Sequence, residues 1–196
     1  MPGIRWAAVV ACLVASGLLP AQELTPGTEY RVDAARSEIA WELDASLRGV
    51  HSRTRQLSGT ARVVDAGEDG VRLEGRLEID AASFETGSAR RDRTLHDESL
   101  ATGEHPRIVF SPRRIYRTSS WAEDEALAIE GDLSIRGVTQ PVRIPVTLTR
   151  RGERLVVDGT TRLQWADYGV PDPSSFLYRV RPQVLVTAHL ELVPRP

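Results

Sequence analysis

The chain has 196 residues and a formal net charge of −2 at pH 7, enough for one domain with a sizeable core. The near-neutral charge gives neither the basic footprint of a nucleic-acid-binding protein nor a strongly basic membrane patch. Cys12 is the only cysteine, so the chain beyond it has no thiol for disulfides, thiolate catalysis or cysteine metal sites.

The first residues have the pattern of an export signal. A basic residue opens the segment, residues 6–19 form an apolar run, and polar residues follow Ala21. The run is shorter than the roughly 20 residues that span a bilayer. We therefore expect a signal peptide over residues 1–21 and a periplasmic or secreted domain over residues 22–196, without stable membrane insertion after cleavage. An uncleaved anchor and lipidation at Cys12 are the alternatives.

Most of the remaining chain alternates apolar and polar residues, as half-buried strands do. Residues 71–80 show this most clearly, since Val71, Leu73 and Leu77 are separated by charged residues. A short edge element is expected at residues 30–33, and residues 137–141 read as a tight turn. We predict eight substantial strands, over residues 37–47, 56–65, 71–80, 107–116, 126–136, 142–148, 154–164 and 183–193.

Long strands with one apolar and one polar face suit an antiparallel sheet closed on itself, because closure removes exposed edges. The fold class is therefore all-β, and we predict an eight-stranded antiparallel barrel; a two-sheet sandwich fits the same alternation. Such a barrel is about wide enough to fill with side chains or to hold one slender ligand. The inward faces mix small and large residues, so a packed core and a hollow tube both remain open.

Residues 83–110 interrupt the alternation. The segment opens on a polar turn, and Leu95 and Leu100 are its only large apolar residues before Pro106. We predict one short helical insertion near residues 88–100, lying across one end of the β structure. A segment that breaks a regular pattern is the first place to look for function.

Arg91 and Asp92 form the most distinctive polar pair of this insertion. The functional interpretation is that the guanidinium of Arg91 meets a polar head group at the mouth of the barrel. The structural interpretation is that Asp92 caps or charges the first helical turn while Arg91 ties the helix to a strand end.

Motifs for catalysis, metal binding and cofactor binding are missing from the sequence. There is no Gly-x-Ser-x-Gly nucleophile elbow, no phosphate-binding loop and no dinucleotide fingerprint. We therefore predict no catalytic residue, no metal site and no cofactor. The four histidines lack the i, i+4 spacing of a helical zinc site; they are His51, His96, His105 and His189.

Three stretches of the chain resemble a known family. Residues 86–95, TGSARRDRTL, resemble the T-(G/N)-x-x-x-RD-x-x-L signature of the YceI-like, polyisoprenoid-binding family. Residues 105–110 are similar to the strand that follows this signature, and residues 131–142, GDLSIRGVTQPV, to the family's G-x-L-T-I-x-G-V-T-x-P-V hairpin. The resemblance spans roughly residues 30–193. In one departure, Trp165 stands where the family often has Arg.

The resemblance implies a lipocalin-like eight-stranded antiparallel barrel with a hydrophobic tunnel for a long-chain isoprenoid or other lipid. That lipid is the expected partner, nucleic acid is not expected, and a homodimer is left open. Arg91 and Asp92 would form a polar motif near the mouth. The candidate ligand-binding residues come from the faces expected to point inward: Trp41, Leu43, Leu73, Leu77, Phe110, Leu133, Ile144, Val146, Leu163 and Val186.

Two other function classes remain alternatives. An enzyme acting on a lipid or envelope substrate would need a polar cluster inside the tunnel, for which Asp92 and Asp167 are candidates. A protein-interaction module would combine a packed barrel with a functional loop at residues 168–176. The volume and polarity of the barrel interior discriminate between these alternatives and the lipid-binding interpretation.

Overall fold

The structure is a computed structural model that describes residues 24–45, 49–118, 127–172, 174 and 179–195. The predicted signal peptide and Cys12 lie outside these residues, as does part of the loop predicted at residues 168–176.

The described part of the chain folds into antiparallel strands with a few short helical segments. The helix α1 (Ala89–Arg93) runs directly into a π-helical turn (Thr94–Ser99), and single 3₁₀ turns occur at Ala34–Arg36, Ala81–Ser83 and Trp165–Tyr168. The strands are β1 (Glu29–Val32), β2 (Glu38–Ala45), β3 (Val50–Thr54), β4 (Leu57–Gly67), β5 (Gly70–Asp80), β6 (Arg107–Arg117), β7 (Leu127–Ile135), β8 (Val138–Arg151), β9 (Arg154–Gln164) and β10 (Val180–Pro194).

The strands form one closed sheet. From β4 to β10 each strand pairs with the next in sequence, and β1 closes the ring by pairing with both β10 and β4. Strand β2 pairs with β10 further along the same edge that β1 uses, and β3 pairs with β2. Strands β1 and β2 together occupy one position of the ring, and β3 and β4 together occupy another. The ten strands of the described residues therefore fill eight positions of the barrel. The predicted closed eight-stranded antiparallel barrel with one short helix is confirmed.

Burial along the strands follows the alternation of the sequence. In β5, Val71, Leu73 and Leu77 are buried while Arg72 and Glu74 are exposed. Burying one such aliphatic side chain stabilises the fold by about 1.5–3 kcal/mol. At the barrel end away from the helix, large apolar side chains pack into a core; they include Leu24, Tyr30, Val32, Val63, Leu155 and Leu192.

A polar network joins β1, β9 and β10 where the ring closes. Ser37 is 0% exposed; its hydroxyl donates to the Asp33 carbonyl at 2.8 Å and accepts the Glu191 N–H at 3.0 Å. Arg154 donates to the carboxylates of Asp33 at 2.7 Å and Glu191 at 3.3 Å. The hydrogen bond from Arg154 holds the pKa of Asp33 below its usual value. We call this junction of β1, β9 and β10 the seam. Its buried polar groups are hydrogen-bonded to one another.

The hairpin between β7 and β8 closes on two residues, Arg136 and Gly137, whose φ angles of 51° and 74° are both positive. Such two-residue turns match the twist of the paired strands. The prediction of a turn through Pro141 is therefore wrong beyond Gly137, since β8 begins at Val138. Within the described residues, no helix combines the length and the hydrophobicity that crossing a bilayer requires.

Candidate functional site: a cavity inside the barrel

The half of the barrel nearer the helix contains a cavity of about 260 Å³. Protein interiors hold few voids larger than a water molecule, so a space of this size is a specific feature of the fold. Its volume lies just below the roughly 300–1,000 Å³ typical of small-molecule pockets. The barrel is therefore hollow at this level, whereas the space at its far end is smaller, about 80 Å³.

The predicted lining residues border two cavities. Leu73 borders the second cavity of about 80 Å³, which lies toward the end of the barrel away from the helix. Leu73 points inward as predicted but at a different level of the barrel, because it lies closer than Leu77 to the β4–β5 hairpin. That these residues bind a ligand stays a prediction. The other nine border the larger cavity: Trp41, Leu43, Leu77, Phe110, Leu133, Ile144, Val146, Leu163 and Val186.

The wall of the larger cavity is almost entirely apolar. The polar residues among its described lining are Ser99, Thr161, Trp165 and Tyr168. The Trp165 indole N–H donates to the Arg181 carbonyl at 2.9 Å. No described Asp, Glu, His or Arg borders the cavity. In the same part of the chain, no three His, Asp or Glu side chains converge in a way that could hold a metal ion.

The two carboxylates that the enzyme alternative requires lie outside the cavity wall. Asp167 is exposed, and Asp92 is half-buried within the helical insertion. A general acid or base must come within hydrogen-bond reach of the proton it transfers. Neither side chain is placed to act on a molecule held in the larger cavity.

Tyr168 is the one buried phenol of this wall and is only 2% exposed. Its ring packs with Leu133 and Leu163. Burial, with a smaller contribution from the Asp167 charge, raises the pKa of Tyr168 to about 12. The hydroxyl is therefore neutral at ordinary pH and can donate a hydrogen bond.

Residues 84–105 form a lid over this end of the barrel. Phe84, Leu95 and Leu100 border the cavity from the lid side, and the Phe84 ring meets Trp41 edge-on at 6.3 Å between centroids. The predicted helix near residues 88–100 is found in place, but its second half is π-helical, since the Leu100 N–H bonds to the Leu95 carbonyl at 2.8 Å. Such turns are rare and frequently occur at functional sites.

Arg91 and Asp92 both bind the turn that precedes α1. The Asp92 carboxylate accepts from the N–H and the hydroxyl of Thr86, each at 2.7 Å, and these bonds lower the pKa of Asp92. Arg91 donates to the Thr86 carbonyl at 3.0 Å and to its hydroxyl at 3.2 Å. The expectation that Arg91 reaches a strand end is wrong; the pair holds the lid's own entry turn. Whether it also meets a head group stays a prediction.

Arg136 and His96 fix the rest of the lid. Arg136, in the β7–β8 turn, donates to the carbonyls of Glu98 and Ser99, the second at 3.0 Å. His96 Nε2 lies 2.8 Å from the Phe84 carbonyl; this nitrogen carries the proton, because a carbonyl oxygen can only accept. Sequence reasoning missed Arg136. The available signal was that the last carbonyls of any helix need donors from elsewhere.

The chain is similar to known proteins in both sequence and fold. A family model described as a YceI-like domain matches residues 30–192. A UPF0312 protein of Vibrio parahaemolyticus is 27% identical over 107 residues, which cover 51% of this chain and 54% of that protein. A UPF0312 protein of Pseudomonas savastanoi pv. phaseolicola is 25% identical over 131 residues, covering 63% of this chain and 65% of that protein. The chain thus spans 54% to 65% of these relatives.

Two solved structures share the fold. BcnA of Burkholderia cenocepacia matches with a TM-score of 0.67 and 19% identity, covering 82% of this chain and 98% of that chain. A polyisoprenoid binding domain from Saccharophagus degradans matches with a TM-score of 0.66 and 19% identity, covering 85% and 98%. At such identities the likeness establishes the fold alone. The family model matches nearly all of the barrel together with its lid, and on that ground the chain belongs to the YceI-like domain family.

Proposed function

We propose that this protein binds the apolar chain of a lipid, such as an isoprenoid, inside its barrel. The observation that carries the proposal is the apolar cavity of about 260 Å³ that the strands and the lid border. Each CH₂ group moved from water into such a space contributes about 0.8 kcal/mol. A cavity with this lining selects for hydrocarbon, because polar groups would lose hydrogen bonds to water on entering it.

The cavity volume sets how much chain the barrel encloses. An apolar cavity of about 150 Å³ accommodates benzene, so each carbon needs roughly 25 Å³. By that measure the larger cavity, at about 260 Å³, holds about ten carbons, or two isoprene units. Burial of these carbons amounts to about 8 kcal/mol, part of which is offset by the freedom the ligand loses. The remainder of a longer chain would lie at or beyond the lid.

Family membership and one neighbour support the same class of ligand. The Saccharophagus degradans structure of the same fold is a polyisoprenoid binding domain by its description. The export pattern of residues 1–21 supports a periplasmic or secreted location. The proposal includes no catalytic step, since the described cavity wall carries no carboxylate, imidazole or guanidinium that could act as a general acid or base. That no cofactor is needed stays a prediction.

Native mass spectrometry of delipidated protein tests the proposal. The protein is incubated with geraniol, farnesol and a longer polyprenol, and with glucose as a polar control. We expect adducts with one prenyl chain per protein and none with glucose. A protein that binds none of the three chains would refute the proposal.

A further inference from the structure

The two cavities of the barrel are stacked and share one layer of side chains. We define the dividing layer as the five residues that border both: Leu77, Phe110, Ile129, Val157 and Leu190. They come from five strands, β5, β6, β7, β9 and β10. The cavity of about 260 Å³ lies on the lid side of the layer and the cavity of about 80 Å³ on the other.

Phe110 is the largest side chain of the dividing layer, and its ring lies over Gly131. A Cβ atom built on Gly131 would lie 2.6 Å and 2.7 Å from Phe110 Cε2 and Cζ. The ring therefore extends across β7 at the position where that strand has no side chain. Phe110 pairs with Leu77 of β5 on one side and Leu133 of β7 on the other, so it lies between two strands that also line the larger cavity.

The smaller cavity is also suited to hydrocarbon. Its described lining includes Leu73, Ile115 and Leu155 from three strands. A chain that passed the dividing layer would thus meet an apolar chamber rather than a polar barrier. The two cavities are therefore separated by the volume of the side chains in the dividing layer and not by a polar barrier.

We infer that the Phe110 ring is a chain-length stop. The inference rests on the proposed function: an apolar chain fills the larger cavity until its last carbon meets the dividing layer. At roughly 25 Å³ per carbon, the stop falls after about ten enclosed carbons. Removing the ring would join the chambers, adding about three carbons of room from the smaller cavity and about six from the ring itself. Phe110 is then the residue that determines ligand length.

The test is a series of linear primary alcohols from eight to twenty-two carbons, with affinities measured by calorimetry. Below the stop, each added CH₂ should tighten binding about fourfold, and beyond it the affinity should level off. We expect the plateau near ten carbons for the natural protein and roughly nine carbons later for Phe110→Ala. Phe110→Leu, a conservative replacement, should move the plateau part of the way.

Leu133→Ala is the matched control. Leu133 pairs with Phe110 and borders the larger cavity but not the smaller one. Its truncation widens the larger cavity without opening the layer, so the plateau should move by no more than about three carbons. Circular dichroism establishes that each variant is folded, and if Phe110→Ala is not, Phe110→Leu decides the question.

The outcomes separate this inference from the proposed function. If the natural protein binds no alcohol of any length, both fail. If it binds and levels off near ten carbons, but the folded Phe110 variants level off at the same length, the stop is refuted while the lipid-binding function stands. A natural protein whose affinity climbs steadily to twenty-two carbons would refute the stop as well.

Discussion

Filling the larger cavity should abolish ligand binding without unfolding the barrel. Val186 lies on β10 between Trp41 of β2 and Thr161 of β9, and all three border the cavity. The change Val186→Trp adds about seven heavy atoms, which need roughly 175 Å³ at 25 Å³ per atom. That is about two-thirds of the available 260 Å³, so room for only about three carbons remains.

The expected loss follows from the displaced carbons. Seven CH₂ groups at about 0.8 kcal/mol each amount to about 5–6 kcal/mol, or roughly a 10⁴-fold weaker Kd. Binding of a ten-carbon chain should therefore fall below detection in calorimetry. The unfolding free energy should stay level or rise by about 0.5–2 kcal/mol, because filling a void improves packing.

Thr187→Trp is the control for this experiment. Thr187 is the next residue of β10 and is exposed on the outer face of the barrel. The same side chain added there should leave the affinity within about threefold, since it removes no volume from the cavity. If a folded Val186→Trp protein bound the chain as tightly as the Thr187→Trp protein, the ligand would not occupy the cavity.

Three further predictions concern the lid end and the seam. Burial raises the pKa of Tyr168 to about 12, above the value of about 10 expected in the unfolded chain. The stability that the neutral phenol contributes is therefore complete below pH 10 and is lost between about pH 10 and 12, so the unfolding free energy should fall by about 2 kcal/mol by pH 11.5. Urea unfolding of Tyr168→Phe should not show this loss. Ser37→Ala leaves the buried Glu191 N–H without its acceptor and should lower the unfolding free energy by about 1–3 kcal/mol. Asp92→Ala removes the carboxylate oxygen that accepts from both the N–H and the hydroxyl of Thr86 and should speed amide hydrogen exchange throughout the lid.

Each of these predictions has its own control and its own contrary result. An alkaline loss of stability as large in Tyr168→Phe as in the natural protein would show that this phenol is not the group responsible. Ser58, exposed on β4, gives a Ser→Ala control that should cost almost nothing; equal costs at the two serines would contradict the role of the seam. Asp97 is an exposed lid carboxylate, and Asp97→Ala is the control that should leave amide hydrogen exchange in the lid unchanged. If Asp92→Ala also left the exchange rates unchanged, the hydrogen bonds of Asp92 would not be what stabilises the lid.

The strands that alternate apolar and polar residues could be predicted, because side chains of successive strand residues point to opposite faces. Strand β3 could not be predicted in this way. Its inward residues are Ser52 and Thr54, both buried and both polar, so the alternation carries no hydrophobic signal. The turn predicted at residues 137–141 is too long, because a proline is more readily expected at the start of a strand than inside one, whereas Pro141 lies within β8 and pairs with Asp132.

The inward face of each strand that alternates apolar and polar residues could be predicted, but the level of each residue along the barrel could not. Leu73 and Leu77 are equivalent in the alternation, yet they border different cavities. The division between the cavities depends on side chains from five strands, among them Leu77, Phe110 and Ile129, that border both cavities. The contact of Arg136 with Ser99 likewise joins residues 37 positions apart, and no local pattern encodes such a distance.

Intermolecular nuclear Overhauser effects between the protein's methyl groups and a bound prenyl chain test the central claim most directly. With methyl-labelled protein and geraniol, we predict cross-peaks from Leu77, Val146 and Val186, which line the larger cavity. No cross-peaks are expected from Leu73, which borders only the smaller one. A bound chain whose contacts fell on the outer face of the barrel, with none to these inward methyl groups, would contradict the account.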